Sequence, residues 1–305
     1  MIDVPRLMVL RAAAARGSMA AAARQLRITP SAVSQQVAAL ERQVGAPLVE
    51  RRTTGITLTA PGRRLVAAAD TIAAELAKAE RHVADIAAGD RGSLAVATFA
   101  SAGQRLLPEA VSGLATDRPN AEVKVMEAEP HAAVPMVRRG EADLAVVYHF
   151  STPRPPDDWG IGDTLRYVPL RRDPVRVVLP ADHRLAHHGT VRLADLATEP
   201  WVQGWADVGE MLDHYAAVAG FRPRVACYAS DYLFMQSVVA AGMGVALVPT
   251  VALATDSTTG PLSGLVARPV DPTPIRYVGA VHPTDRWRSP LTEELLTRLR
   301  ATVAD

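Results

Sequence analysis

One cysteine, Cys227, stands in 305 residues, which excludes an intramolecular disulfide and any multi-cysteine metal site. Within RVACYA it reads as a small hydrophobe rather than a redox group. No uninterrupted apolar run approaches the roughly 20 residues that a membrane span needs. The first residues, MIDVPRLMVLR, put Asp3 and Arg6 where a secretion signal would have a basic start and an unbroken apolar stretch. The expected location is therefore the cytoplasm, with no membrane partner. A phosphate-cradling loop is missing too, because Gly242-Met243-Gly244 lacks a following glycine or lysine at the needed spacing. His183, His187 and His188 have no carboxylate or cysteine at ligand spacing, and no serine sits in a nucleophile elbow. The expectation is thus no metal, no cofactor and no catalytic residue.

What the chain does have is an uneven charge. Its net charge is +1, yet residues 1–65 hold ten arginines against Asp3, Glu41 and Glu50, net +7, which leaves −6 for the rest. A basic module on an acidic remainder fits a polyanion partner for the first part only. A chain of this length also predicts two or three domains rather than one.

The stretch Met19 to Gly45 predicts two helices with a tight break at Arg27-Ile28-Thr29. Ala22, Ala23 and Leu26 share a face of the first. Thr29 is a suitable N-cap for the second, Pro30 fits its first position, and Gly45 stops it. Val33, Val37, Leu40 and Val44 make its buried stripe, while Ser31, Ser34, Gln35, Ala38 and Arg42 face the other way. A helix pair whose second member has a polar, non-acidic face suits a major groove; an ordinary helical hairpin is the other reading of this stretch. Upstream, Asp3 and Pro5 start a helix that Gly17 ends, with Leu7, Leu10 and Ala14 on one face, and Ser18 caps the next. Downstream, Leu48-Val49 and Ile56-to-Leu58 flank Arg51-Arg52-Thr53-Thr54-Gly55, a hairpin with a basic tip.

From Pro61 to about Ala88 one long helix carries Leu65, Ala69, Ile72, Leu76, Ala79, Val83 and Ile86 at alternating steps of four and three. So narrow a stripe predicts pairing with a second copy along its length. Beyond Gly92 the pattern changes to alternating strands and helices. Strands are expected at 94–99, 123–126, 144–148, 175–179, 201–203, 245–248 and 275–281, and helices at 106–115, 131–139, 209–219, 231–241 and 292–301. The opening strand–helix–strand–helix–strand run argues for a mostly parallel sheet.

Several motifs in order carry a resemblance. They are Ala20-Ala21-Ala22-Ala23-Arg24-Gln25-Leu26, then Thr29-Pro30-Ser31-Ala32-Val33-Ser34-Gln35-Gln36-Val37 with Leu40-Glu41, then Gly45, Pro47-Leu48, Arg51 and Leu58-Thr59-Ala60-Pro61-Gly62. Leu107-Pro108, Gly140-Glu141-Ala142-Asp143-Leu144-Ala145-Val146 and Val239-to-Pro249 follow. The chain resembles the LysR-type transcriptional regulators, essentially end to end. The resemblance implies an α/β protein: an N-terminal winged helix-turn-helix over 1–60, a linker and dimerisation helix over 61–91, and a two-lobed, periplasmic-binding-protein-like effector domain over 92–305. Its lobes would be about 92–163 with 268–305, and about 164–267. One departure is Val49, where the family commonly has phenylalanine.

The implied partners are double-stranded DNA, a small-molecule effector, RNA polymerase and further copies of the chain, as a homodimer or homotetramer. Ser31, Ser34 and Gln35, with Thr29 and Pro30 setting where they begin, are the expected base or phosphate contacts; Ser18, Arg51, Arg52 and Arg63 would position the DNA backbone. In two-lobed sheets ligands bind outside the carboxyl ends of the strands. That selects Ala100, Ser101 and Ala102, Glu127 to Glu129, Tyr148-His149 and, from the other lobe, Trp201 to Trp205 with Gln203. Ser101 suits an anionic effector; Glu129 and the two tryptophans suit an amine or an aromatic body. A transport binding protein would share the sheet domain but needs export, an α/β enzyme needs a catalytic constellation, and a DNA-bending protein would have no ligand cleft.

Overall fold

A computed structural model describes residues 2–52, 55–88, 92–150, 152–162, 164–204, 207–229, 231–253, 264–284 and 289–302. The side chains of 51, 52, 78, 81, 82, 84–88 and 207 lie outside that description. The chain forms two compact units, one built mainly on residues up to Ala87 and one on those that follow.

In the first unit local capping sets the ends of the first three helices. Asp3 accepts from the Arg6 N–H at 3.0 Å to start α1 (Val4–Arg16), which Gly17 ends at φ 60°. Ser18 starts α2 (Met19–Leu26) by accepting from the Ala21 N–H. Thr29 accepts from the Ala32 N–H at 3.1 Å and Pro30 opens α3 (Pro30–Val44), closed by Gly45 at φ 73°. Such side-chain caps each stabilise a helix by about 1 kcal/mol. Strands β1 (Val49–Arg52) and β2 (Gly55–Leu58) pair antiparallel as the expected wing, and α4 runs Ala60–Ala88. Leu7, Leu10, Val37, Leu40 and Leu48 form the core, each worth roughly 1.5–3 kcal/mol of apolar burial. Val44, expected to extend the α3 stripe, is 37% exposed because the helix has already passed the edge of that core.

The long helix corrects one expectation. Its stripe is not reserved for a second copy: Ala69 is buried in the winged-helix core, with Leu65 and Ile72 packed against it. Arg11 of α1 donates to Asp70 at 2.7 Å across the same contact. The wing returns the chain over α1, so the first turns of α4 already have a core to lie on. Beyond them Ala79 is exposed, Leu76 is 56% exposed and Val83 67%; the Ile86 side chain lies outside the described residues.

The second unit is built on a mixed eight-stranded sheet, not the mostly parallel one expected. Strands β3 (Ser93–Thr98), β4 (Glu122–Glu127) and β5 (Leu144–His149) are parallel, in order β4-β3-β5. Then β12 (Ile275–Pro283) runs antiparallel to β5 and to β6 (Leu165–Pro180). Over Leu165–Pro174 β6 pairs with β12; over Val175–Pro180 it pairs with β10 (Ala246–Pro249) and β11 (Leu265–Asp271), both antiparallel. One strand therefore passes from the first lobe into the second. The other crossing is the 272–274 connection from β11 to β12. The sequence reading anticipates only the second half of β6, and none of β7 (Val191–Arg192), which pairs in parallel with β11 and completes the sheet, β11 itself, or β9 (Arg224–Ala229), which pairs in parallel with β8 (Pro200–Gly204).

Helices cover both faces of the first lobe. Leu144, Val146 and Tyr148 of β5 point toward α5 (Ala100–Arg105), α6 (Leu107–Asp117) and α10 (Pro290–Thr302), while Ala145 and Val147 point toward α7 (Pro130–Arg138). The second lobe has its own two cores, under α8 (Asp207–Val218) and α9 (Tyr232–Ala240). The expected helix at 106–115 is preceded by α5, which carries the turn after β3.

Candidate nucleic-acid interface and effector cleft

Ser31 and Gln35 are exposed at the start of α3, with Ser34 half-buried between them and Val33 and Val37. Thr29 is exposed but its oxygen is engaged in the cap, leaving its hydroxyl hydrogen and one lone pair for another partner. Ser18 is likewise a capping oxygen. Arg63 is exposed and donates through Nη1 to the Leu58 carbonyl at 2.9 Å, which holds its guanidinium against the wing. The Arg51 and Arg52 side chains lie outside the described residues.

One residue that positions this face escapes the sequence reading. Glu41 of α3 accepts from the backbone N–H groups of Leu48 at 2.8 Å and Val49 at 3.3 Å, fixing β1 to the helix. A Cβ at Gly62 would fall on the Leu48 carbonyl, so the α4 start and the wing approach each other as closely as glycine allows. The signal for Glu41 is a carboxylate directly after Leu40, inside an otherwise non-acidic helix.

In the second unit the residues after β3, β4 and β5 do converge, around a group that sequence reasoning misses. Arg276 of β12 is fully buried and donates through Nε (3.0 Å) and Nη2 (2.7 Å) to Oδ2 of Asp173 in β6, itself fully buried. Its Nη1 donates to Ser101 Oγ at 3.1 Å. Asp173 Oδ1 accepts from the Val251 N–H at 3.1 Å, tying in the turn after β10. The guanidinium lies over the rings of Phe99 (5.0 Å), Tyr148 (5.3 Å) and Tyr232 (5.7 Å). Tyr148 donates to Glu129 Oε2 at 2.8 Å. The Tyr232 hydroxyl, at the start of α9, is buried close to the Arg276 guanidinium. Burial, chiefly, pushes its pKa up to about 12; Arg276 opposes that, and Asp173 and Glu129 add to it.

Of the residues expected here, Ser101 and Glu129 join this network, Ala102 is buried beneath it and Ala100 is half-buried at the first position of α5. Three are placed elsewhere. His149 follows Tyr148 in an extended strand and so points to the opposite face, stacked on Tyr277 and 3.2 Å from the Tyr167 hydroxyl. Burial lowers its pKa to about 4, which keeps it neutral. Trp201 is fully buried in the second lobe's core against Phe221, too far inside to meet a ligand. Gln203 is buried and donates to the Gly209 carbonyl (3.1 Å) and Asp213 (3.3 Å), organising the start of α8. Trp205 lies outside the described residues.

A winged helix-turn-helix followed by a two-lobed α/β domain defines a DNA-binding regulator with a ligand-binding module. Two family models match: the bacterial regulatory helix-turn-helix protein of the lysR family over residues 5–63, and the LysR substrate binding domain over 87–304. The chain is 32% identical over 250 residues to the small neutral protease regulatory protein of Streptomyces coelicolor, covering 79% of this chain and 71% of that one. A full-length OxyR variant from Pseudomonas aeruginosa shares the fold with a TM-score of 0.66 at 21% identity, covering 100% of this chain and 97% of that one. Full-length CbnR complexed with its target DNA shares it with a TM-score of 0.53 at 22% identity, covering 99% of each. The chain belongs to the LysR family of transcriptional regulators: it binds DNA through its helix-turn-helix and carries an effector-binding domain, and the family's members are regulators, not enzymes. No helix among the described residues is long and apolar enough to cross a membrane.

Proposed function

We propose that the protein is a cytoplasmic regulator that reads DNA with the start of α3 and responds to a small effector held between the lobes of its second unit. Residues 1–60 form the reading head, 61–91 the dimerising helix and 92–305 the effector domain, acting as a homodimer or homotetramer that recruits or occludes RNA polymerase. Ser31, Ser34 and Gln35 contact base edges or phosphates; Ser18, Arg51, Arg52 and Arg63 hold the DNA backbone. The observation that carries this is the exposure of Ser31 and Gln35 on a helix whose other face is locked into the core. An effector shifts the regulator only through unequal affinity for two lobe arrangements. Ser101, in the first turn of α5 and bonded to Arg276, stands where such a difference would be felt.

Selection of bound sequences from a random duplex pool tests the DNA contacts. Gln35→Ala changes the preferred bases, whereas Arg52→Ala weakens binding on all sequences and lowers the salt slope by about one. An unchanged base preference in Gln35→Ala, or an unchanged slope in Arg52→Ala, refutes the corresponding assignment.

A further inference from the structure

Resting on the reading of the interlobe crevice as the effector site, we propose that the effector carries a protonated amine, bound by the Glu129 carboxylate. Among the described residues of this network the cation is Arg276, and that cation is spent. Arg276 is fully buried, bonded twice to Asp173, capped by Ser101 and walled by three rings. The buried pair is neutral as a unit, so an arriving anion meets no uncompensated positive charge there.

Glu129 is different. It is exposed, its Oε2 accepts from Tyr148, and its Oε1 accepts no bond among the described residues. With Arg276 and Asp173 cancelling, the net charge of the network is that of Glu129. The sequence around the strand ends agrees. Residues 99–102, 127–131 and 231–232 hold Glu127, Glu129 and Asp231, and no lysine or arginine. A carboxylate ligand placed here would face like charge without a counter-ion, whereas an ammonium group gains a charge-assisted hydrogen bond. The buried Tyr232 hydroxyl from the second lobe, beside the Arg276 guanidinium, is a further polar group at the same network. An amine gripped by Glu129 from one lobe and Tyr232 from the other would join the lobes directly.

The test is a thermal-shift and calorimetric comparison on the full chain of amines with carboxylates of similar skeleton: phenethylamine against hydrocinnamate, and hexylamine against hexanoate. The proposal expects at least one amine to raise the melting temperature while its carboxylate does not. Glu129→Gln then weakens that amine roughly tenfold to a hundredfold, and Glu122→Gln, exposed at the opposite end of β4, does not. Carboxylates that stabilise in place of amines, no stabilisation by either amine, or amine binding that survives Glu129→Gln each overturn the proposal. Ala100→Trp, which fills the crevice at the first position of α5, separates the two layers of the argument. If carboxylates bind and Ala100→Trp abolishes it, the crevice is the effector site and only the amine class falls. If amine binding survives both Ala100→Trp and Glu129→Gln, the crevice itself is not the site.

Discussion

Replacing Arg276 by methionine removes the guanidinium that joins α5, β6 and β12 and leaves Asp173 as a buried carboxylate with its Oδ2 unbonded. Only the Val251 N–H on Oδ1 remains to stabilise it. Breaking a fully buried pair by deleting one partner costs about 3–5 kcal/mol, mostly from the charge left behind. Adding Asp173→Asn removes that charge while keeping an acceptor for Val251, so the double variant loses less than the sum of the single ones, with an interaction of about 2 kcal/mol. Urea unfolding followed by tryptophan fluorescence isolates the effect, because all four tryptophans, at 159, 201, 205 and 287, lie in the second unit. A loss under about 1 kcal/mol in Arg276→Met, or strict additivity in the double variant, would show that this pair does not tie the lobes together in the way its geometry indicates.

Three further outcomes follow from the same reasoning. Glu41→Ala strands the Leu48 and Val49 N–H groups and costs about 1–3 kcal/mol in the thermal unfolding of the winged helix, while Glu41→Gln, which keeps an acceptor, recovers most of it; equal losses would place the effect elsewhere. Leu76→Glu combined with Val83→Glu yields a folded monomer in light scattering, since both side chains are exposed in a single chain; an unaltered oligomer refutes the assignment of this half of α4 to self-pairing. His149, neutral when folded with its pKa lowered to about 4 by burial, binds its proton more readily unfolded. Its contribution makes stability fall as pH drops from about 6.5 toward 4 and level off below, and His149→Gln removes that slope from a pH series of urea melts; a slope that persists in the variant assigns it to other groups.

The helix-turn-helix is legible in the sequence because its signals are local. Asp3, Ser18 and Thr29 cap the helices that immediately follow them, and Gly17 and Gly45 end helices at positive φ. The crevice is legible only in part. Ser101 and Glu129 follow strands that their own residues announce, so topology alone brings them to the carboxyl end of the sheet. Arg276 has no such signal: it sits in an alternating strand where a charged residue reads as outward-facing, and its partner Asp173 lies 103 residues away. Trp201 and His149 are misplaced by sequence reasoning for one reason, that a residue near a strand's end can face either side and only packing decides. The stripe on α4 has the same period whether a turn lies on its own domain or on a second copy, so the sequence does not separate Ala69, buried in its own domain, from Leu76, which is exposed.

The central claim, that two copies of the α3 face read DNA together, is tested most directly by hydroxyl-radical footprinting on duplexes selected by the full chain, with the stoichiometry of the complex measured in parallel. The account predicts two protected half-sites in inverted orientation, centred one helical turn of about 10 base pairs or a multiple apart, with two or four chains per complex. A single protected site bound by one chain would contradict it.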